Sequence, residues 1–255
     1  MKFARYQINE NIAYGLVEGN EIRQITTTPF QDYEITNNRH PVSAVNILPP
    51  TIPSKIIAIG LNYKSHLKGS PIGDREAAEV PEPFFKTTSS IIGPNDTIVI
   101  PKNATNVQEE AELTVVIGKK CKGATKTNAF EYILGYTCGN DVSARDWQRG
   151  DLQWWRAKSS DTFAPIGPYI VTDIDPGDLQ LTARINGKVV QESSTSNLIH
   201  NIPTILEFIS RVITLEPGDI IMTGTPGQPK NLEHGDSVEV EIEGIGTLKN
   251  NVVSE

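Results

Sequence analysis

The sequence predicts an α+β fold built mainly of β-strands, and three observations support this prediction. Short segments of alternating apolar and polar residues, typical of half-buried strands, recur along most of the chain. Turn residues separate these segments at short intervals, and Glu18-Gly19-Asn20 and Asn186-Gly187 are typical of hairpin turns. Helical spacing of apolar residues is confined to a few short segments.

The size and composition of the chain exclude several classes of function. A chain of 255 residues buries roughly three quarters of the surface that its unfolded form exposes. Its net charge of -8, without a run of Lys or Arg, argues against a nucleic-acid or anionic-membrane partner. The N-terminus lacks an apolar signal core, and the two cysteines form no metal or redox motif. We therefore expect a cytoplasmic protein that binds neither nucleic acid nor membrane.

Prolines mark a boundary in the N-terminal part of the chain. Residues 1 to about 50 contain two or three short predicted strands, and Pro41, Pro49, Pro50 and Pro53 then indicate an extended connector. We expect a small N-terminal β domain over residues 1–52 and a second domain, which contains the chemistry, over residues 53–255.

The segment 108–119 (QEEAELTVVIGK) contains the most informative pattern. On a strand, Glu110 and Glu112 would share one face, whereas Ala111 and Leu113 would face the core. A solvated sheet face explains this pattern, because acidic residues are mostly exposed. The alternative is a site for Mg²⁺ or a related cation, which binds carboxylate oxygens. Asp141 follows Glu112 by 29 residues, at the end of another predicted strand, and could complete such a site if the strands are neighbours.

Other polar residues lie where buried strands are predicted to end. His66 follows the apolar run 55–60, so it is either at the mouth of a site or an ordinary surface residue. Residues 67–83 are rich in Gly, Pro and charge, which suits a lid or an exposed loop. Lys86 lies beside hydroxyl residues, and Lys158 lies in a small, polar segment that suits either a surface or a site wall.

The C-terminal part contains one predicted helix among strands. The helix begins near Ile202, and the helical spacing of Ile205, Leu206, Ile209 and Val212 predicts that they face the core. The next strand, over 220–226, ends in small hydroxyl residues, and a hairpin over 236–253 closes the chain.

Five motifs together resemble the fumarylacetoacetate hydrolase superfamily. They are GLNYKSH (60–66), EAELTVVIGK (110–119), GNDVSARDWQ (139–148), KSSDTFAPIGP (158–168) and IIMTGTPGQ (220–228). The chain is similar to the branch that contains 2-hydroxyhepta-2,4-diene-1,7-dioate isomerase, acylpyruvase and oxaloacetate decarboxylase. The resemblance implies a mixed β-sandwich roll with a few short helices, a homodimer, and a bound Mg²⁺ or Mn²⁺ ion.

The same resemblance implies roles for individual residues. It makes Glu110, Glu112 and Asp141 the metal ligands, whereas Glu109 does not match a ligand position. The implied catalytic residues are Lys158 and His66. The implied substrate-binding residues are Arg145, Gln148, Thr225 and, as a weaker match, Lys86.

The implied substrate is a small anionic 2-oxo acid or 1,3-dicarbonyl acid. Breaking a carbon–carbon bond or moving a proton in such a molecule produces an enolate, which a divalent cation and Lys158 would stabilise. A non-catalytic protein that uses a metal for stability is the alternative. Lys158, Arg145 and Gln148 favour the enzyme, because a structural metal does not require them.

One position departs from the hydrolytic members of the family. These often have a Glu three residues after the motif His, where it helps to activate water, but this chain has Gly69. Glu76 or Glu79 could replace it. The departure favours decarboxylation or keto–enol isomerisation, with hydrolysis of an acylpyruvate as the alternative.

Overall fold

A computed structural model describes residues 1–67 and 76–255, and strands dominate it. The strands are β1 (Lys2–Ile8), β2 (Asn11–Glu18), β3 (Glu21–Ile25), β4 (Ile35–Pro41), β5 (Asn46–Ile47), β6 (Ile56–Gly60), β7 (Glu82–Lys86), β8 (Ile91–Ile92), β9 (Thr97–Ile100), β10 (Val107–Gln108), β11 (Ala111–Ile117), β12 (Ile133–Asn140), β13 (Ser143–Ala144), β14 (Ala164–Val171), β15 (Gln180–Ile185), β16 (Lys188–Ser194), β17 (Ile220–Met222), β18 (Ser237–Ile242) and β19 (Gly246–Ser254).

The α-helices in the described ranges are short. They are α1 (Lys64–Leu67), α2 (Arg145–Gly150), α3 (Trp155–Ser159) and α4 (Ile202–Ser210). The helix α4 begins where Asn201 accepts a hydrogen bond from the Thr204 amide at 3.1 Å. No helix of the described residues is both long enough and apolar enough to cross a membrane.

Two mixed sheets form the framework of the molecule. The larger has the order β4-β3-β2-β1-β14-β12-β11-β17-β6-β7, and β5 and β8 are attached to β1 and β14. The smaller has the order β16-β15-β18-β19-β9, and β10 pairs with β13 alone. These mixed sheets with few helices confirm the predicted mainly-β, α+β fold class.

The predicted hairpins are present in both parts of the chain. Asn186 and Gly187 connect β15 to β16, and both have positive φ, at 51° and 76°. This conformation is typical of the hairpin turn that an Asn-Gly pair favours. The strands β2 and β3 are joined across Gly19 and Asn20 as predicted.

The main core lies between the two sheets and α4. Leu113 and Val115 of β11 pack there in one cluster with Leu181 of β15 and Ile205 of α4. Val116 packs on the opposite side of the larger sheet. The strand β11 is therefore buried on both faces, and its polar residues are inside the protein.

One predicted core residue is exposed. Val212 keeps 75% of its accessible surface, although Ile205, Leu206 and Ile209 are buried as expected. The helix α4 ends at Ser210. Helical spacing therefore no longer determines the direction of Val212, and the prediction for this residue was wrong.

The N-terminal strands continue the larger sheet. Lys2 and Phe3 of β1 pair with Val171 and Ile170 of β14. This pairing connects the strands before residue 53 to the sheet that contains β11. The division of the chain into domains at residues 52 and 53 stays a prediction.

Candidate functional site

The acidic residues come together because β11 and β12 are antiparallel neighbours. Ala111 pairs with Asn140 and Glu112 with Gly139, so that Asp141 follows immediately beyond the end of β12. The Asp141 amide donates to the Glu110 carbonyl at 2.9 Å and extends this pairing. One oxygen from each carboxylate of Glu110, Glu112 and Asp141 lies within 4.8 Å of the others.

The acidic residues are buried, so a solvated sheet face does not explain them. The exposed fractions of Glu110, Glu112 and Asp141 are 3%, 1% and 1%. All three residues line one cavity. Buried carboxylates are costly unless they are paired with cations or ligate a metal.

Three cationic side chains contact two of the three carboxylates. Lys158 Nζ lies 2.5 Å from Glu110 Oε2 and 2.6 Å from Asp141 Oδ2. Lys86 Nζ lies 2.5 Å from Asp141 Oδ1, and Arg145 Nη2 donates to Glu110 Oε1. Glu112 differs, because in the described part of the chain no salt bridge reaches it and its Oε2 accepts only from the Gly224 amide, at 2.7 Å.

This asymmetry separates the pKa values of the two glutamates. Burial raises the pKa of Glu112 well above its usual value, and the nearby Asp141 and Glu110 charges raise it further. Burial also disfavours the charged form of Glu110, but Arg145 and Lys158 outweigh it and hold the pKa of Glu110 below its usual range. Glu112 is thus the carboxyl group that most needs an added cation.

The triad fits a hard divalent cation. Its donors are all carboxylate oxygens, which Mg²⁺ and Mn²⁺ prefer. The three oxygens lie within 4.8 Å of one another, which is near enough for them to share one ion. A bound ion would also give Glu112 the positive partner that it lacks. Glu110, Glu112 and Asp141 are therefore the residues that could hold the metal.

His66 lies at the same cavity, on the single turn α1. Its Nδ1 lies 2.6 Å from the Gly227 carbonyl oxygen, and Nε2 lies 3.8 Å from Glu110 Oε1. A carbonyl oxygen can only accept, so Nδ1 must have the hydrogen atom. Burial lowers the pKa of His66 and favours the neutral ring. The Nε2 atom therefore has a free lone pair.

The predicted substrate-binding residues fall into two groups. Arg145, Gln148 and Thr225 line the cavity. Lys86 is not among the lining residues of the described chain, because its ammonium group contacts Asp141 and the Lys158 carbonyl. Lys86 therefore holds the Asp141 carboxylate and the Lys158 backbone in place and does not line the cavity itself.

Aromatic residues form another wall of the cavity. Phe84 and Trp154 line it and pack edge to face, with their ring centroids 5.4 Å apart. Lys158 Nζ lies 5.1 Å from the centroid of the Phe84 ring. The cavity thus combines an anionic triad, cations and an apolar wall.

Sequence reasoning missed the backbone groups of the 223–227 loop. The Gly224 amide donates to Glu112, and the Gly227 carbonyl accepts from His66. Gly224 has φ +105°, and a Cβ there would lie 2.7 Å from the Asn62 Cβ atom. Two glycines after a strand are a signal for such close approaches.

Part of the predicted lid lies outside the described residues. Residues 68–75, which include Gly69, fall in that gap. Glu76 and Glu79, the suggested replacements for the missing Glu, are described and exposed.

Two family models and many known proteins match the chain. Residues 55–253 match the family described as Fumarylacetoacetate (FAA) hydrolase C-terminal, and residues 1–50 match the one described as Rv2993c-like, N-terminal. The chain is 41% identical over 225 residues to the mitochondrial oxaloacetate tautomerase Fahd2a of Rattus norvegicus. The aligned residues cover 84% of this chain and 71% of that protein.

Solved structures are similar over the whole chain. The 5-carboxymethyl-2-hydroxymuconate delta-isomerase from Mycobacterium smegmatis has a TM-score of 0.94 and 45% identity, with 100% of both chains covered. The maleylpyruvate hydrolase from Sphingobium sp. SYK-6, in complex with manganese(II) ion and pyruvate, has a TM-score of 0.82 and 28% identity, with 100% of this chain and 99% of that chain covered. Sequence and structure agree on one family of enzymes: this chain belongs to the fumarylacetoacetate hydrolase family.

Proposed function

We propose that the protein is a divalent-metal-dependent enzyme that interconverts the keto and enol forms of a small 2-oxo diacid such as oxaloacetate. Decarboxylation of the same substrate would use the same enolate. The observation that supports the proposal best is the meeting of Lys158 with the buried triad in a cavity lined by His66. The relatives named as a tautomerase and an isomerase also support it.

Arg145, Gln148 and Thr225 would hold the anionic substrate. Arg145 has five N–H donors. Its Nε, Nη1 and Nη2 donate to Gln108, Gln148 and Glu110. In the part of the chain that the structure describes, two N–H groups of the guanidinium are then left for a substrate carboxylate, and the three existing hydrogen bonds fix its plane. The phenyl and indole rings of Phe84 and Trp154 would exclude water from the carbon chain of the substrate.

His66 would move the proton and Lys158 would stabilise the charge. The unprotonated Nε2 takes a proton from the carbon next to the ketone, the electrons of that C–H bond form a C=C bond, and the carbonyl π electrons move to the ketone oxygen. The Lys158 ammonium stabilises the resulting enolate. The enolate oxygen then takes the proton back from Nε2, which completes the enol and restores the neutral ring. Burial alone would lower the pKa of Lys158, but Asp141 and Glu110 outweigh it and raise the pKa, which keeps the side chain cationic. A Mg²⁺ or Mn²⁺ ion at the triad would act as a Lewis acid toward the same oxygen.

Hydrolysis of an acylpyruvate is the second candidate. It is favoured by the hydrolases of similar structure and by the open lone pair of His66, which could also deprotonate water. Among the described residues, the hydrogen-bond partner of His66 Nδ1 is the Gly227 carbonyl, whereas the hydrolytic members often have a Glu that pairs with the motif His to activate water. This geometry favours isomerisation or decarboxylation. The homodimer and the cytoplasmic location stay predictions.

The test compares three reactions of the Mg²⁺- or Mn²⁺-loaded enzyme. Oxaloacetate tautomerisation, oxaloacetate decarboxylation and acylpyruvate hydrolysis are measured for the natural chain, His66→Ala and Lys158→Ala. Lys158→Ala should reduce all three. His66→Ala should reduce tautomerisation and hydrolysis by about 10²–10⁴-fold, the usual value of general-base assistance, and decarboxylation much less.

Lys64→Ala is the matched control, because Lys64 is exposed on the same turn α1. Its rates should equal those of the natural chain. Cleavage of acylpyruvate far faster than any reaction of oxaloacetate would contradict the proposal. Glu76 or Glu79 would then become the expected partner of His66.

A further inference from the structure

Gln191 connects the two sheets at the candidate site. It lies on β16, at the edge of the smaller sheet, and only 4% of its surface is exposed. Its Oε1 accepts from the Ala111 amide at 3.0 Å. Its Nε2 donates to Thr225 Oγ1 at 2.9 Å and to the Pro226 carbonyl at 2.5 Å. Both amide hydrogens and the oxygen are therefore used.

On β11, Gln191 contacts the amide of Ala111, which lies between Glu110 and Glu112. Ala111 pairs with β12 on one side, whereas the pairing of β17 with β11 covers only Thr114, Val115 and Val116. The carboxamide of Gln191 thus satisfies the Ala111 amide where the sheet stops. This contact fixes the backbone between Glu110 and Glu112.

The orientation of the Gln191 amide follows from its partners. The Ala111 N–H can only donate and the Pro226 carbonyl can only accept, so Oε1 must face Ala111 and Nε2 must face Pro226. Nε2 consequently donates to Thr225, whose oxygen accepts. The Thr225 hydroxyl hydrogen has no acceptor among the described residues and is available to the cavity that Thr225 lines.

The hydrogen bond from Gln191 to the Pro226 carbonyl also affects His66, through the next residue, Gly227. Gly227 follows Pro226, has φ +62°, and accepts from His66 Nδ1 while its amide donates to Ser65 Oγ at 3.0 Å. A fixed Pro226 carbonyl therefore constrains the residue that orients His66. Gln191 reaches the acidic strand, the Thr225 hydroxyl and the His66 loop with one side chain.

We propose that Gln191 is a positioning residue that makes Thr225 a hydrogen-bond donor toward the substrate anion. The proposal rests on the proposed function only in that the cavity binds a small dianion of the 2-oxo acid class. Gln191 itself does not contact the substrate. Its effect passes through the hydroxyl of Thr225.

The test is the binding of oxalate, a planar dianion that resembles the enolate of a 2-oxo acid, to the Mn²⁺-loaded protein. Gln191→Glu keeps the acceptor for Ala111 but replaces the donor, so the Thr225 hydroxyl turns its hydrogen toward residue 191. Oxalate should bind about 10-fold more weakly or worse, which is the value of one hydrogen bond to a charged group. The affinity for Mn²⁺, measured without oxalate, should stay within about 3-fold because the Ala111 contact remains.

A double-mutant cycle with Thr225→Val separates this effect from charge repulsion. In the Thr225→Val background, Gln191→Glu should weaken oxalate binding by less than about 3-fold, because the hydroxyl is already absent. Gln180→Glu, an exposed change on β15, is the control for added charge. If Gln191→Glu does not fold, Gln191→Met takes its place in the same oxalate cycle, because it removes the donor to Thr225 and Pro226. It also removes the acceptor of the Ala111 amide, so its Mn²⁺ affinity is not a control.

Equal weakening in both backgrounds, or no weakening beyond that of Gln180→Glu, would overturn the proposal. Failure of the natural chain to bind oxalate would also overturn it, because Thr225 would then face no anion site. Binding of oxalate without turnover of oxaloacetate would instead overturn the proposed reaction and leave the role of Gln191 supported by the cycle.

Discussion

Glu109 shows how one residue next to the triad can influence stability without joining the site. It is fully buried, and its Oε1 accepts from the Lys230 amide at 3.0 Å. Its Oε2 has no hydrogen-bond partner among the described residues. Burial raises the pKa of Glu109 to about 8. The folded protein therefore holds a proton there that the unfolded chain releases near pH 4.5.

This difference predicts a loss of stability as the pH rises. Between about pH 4.5 and 8 the folded state binds more protons at Glu109 than the unfolded state, so the free energy of unfolding falls with pH. The limiting slope is about 1.4 kcal/mol per pH unit. Glu109→Gln removes the titrating group, and its stability should be flatter over this window. Urea unfolding in chelator at several pH values measures the effect.

Glu131→Gln is the matched control for the Glu109 experiment, since Glu131 is exposed. It should keep the pH dependence of the natural chain. The same slope in Glu109→Gln and in the natural chain would show that the carboxyl of Glu109 is ionised when folded.

At the residue level, the sequence was sufficient for the side chains that belong to motifs. Alternation along the strand put Glu110 and Glu112 on one face, and the motif positions added Asp141 and Lys158. Gln191 and the Gly224 amide could not be found in this way. Their partners lie far away in the chain, and the contacts exist only after the two sheets have packed.

At the level of elements, the parallel strands β6 and β17 position the site. β6 leads to the turn with His66, and β17 leads to Gly224 and Thr225. Asp219, which is completely buried, joins the starts of the two strands. It accepts hydrogen bonds from the Ser54 amide and hydroxyl and forms a salt bridge with Lys55. The pairing of β6 with β17 therefore begins at a buried polar contact.

Removing this contact should destabilise the protein strongly. Asp219→Ala leaves the amides of Ser54, Lys55 and Glu216 without their acceptor, which costs about 1–3 kcal/mol for each amide that water does not reach. Asp236→Ala is the control. Asp236 likewise accepts from the amide three residues earlier, that of Glu233, at 2.7 Å, but it is only partly buried, in the turn before β18. It should cost only about 1 kcal/mol.

Urea unfolding measures both variants. Equal losses of stability for Asp219→Ala and Asp236→Ala would contradict a special role for the contact between β6 and β17.

The strands could be predicted because alternation and turn residues are local properties. Their partners could not, since pairing depends on how distant segments pack. Glu112 and Asp141 meet through the antiparallel pairing of β11 and β12, with a 3-10 helix over Ala129–Tyr132 between them. The 29-residue spacing between Glu112 and Asp141 did not show whether the two strands run parallel or antiparallel. Val212 was misplaced because its helix ends earlier than the apolar spacing suggested.

At the level of the whole molecule, the site places acidic and basic side chains side by side. Three carboxylates, those of Glu110, Glu112 and Asp141, are close to three cationic side chains, those of Lys86, Arg145 and Lys158. A divalent cation adds two positive charges, which a dianionic substrate would neutralise. A protein of net charge -8 can thus attract the metal and still bind an anion.

Metal binding should therefore stabilise the folded protein. At an Mn²⁺ concentration of 100 times Kd, the gain is about 2.7 kcal/mol, because the unfolded chain has no assembled triad. For a chain of this length, such a gain raises Tm by about 5–10 °C. Chelator should abolish turnover of oxaloacetate, and Mg²⁺ or Mn²⁺ should restore it.

Glu112→Gln tests whether the triad is responsible. The Gln side chain keeps an oxygen for the Gly224 amide and removes a buried carboxyl group whose pKa is raised, so the metal-free variant should be at least as stable as the natural chain. The increase of Tm with Mn²⁺ should nevertheless disappear, together with metal-restored turnover. Asp161→Asn, an exposed change, should retain both. A full Mn²⁺ response in Glu112→Gln would contradict a metal site at these carboxylates.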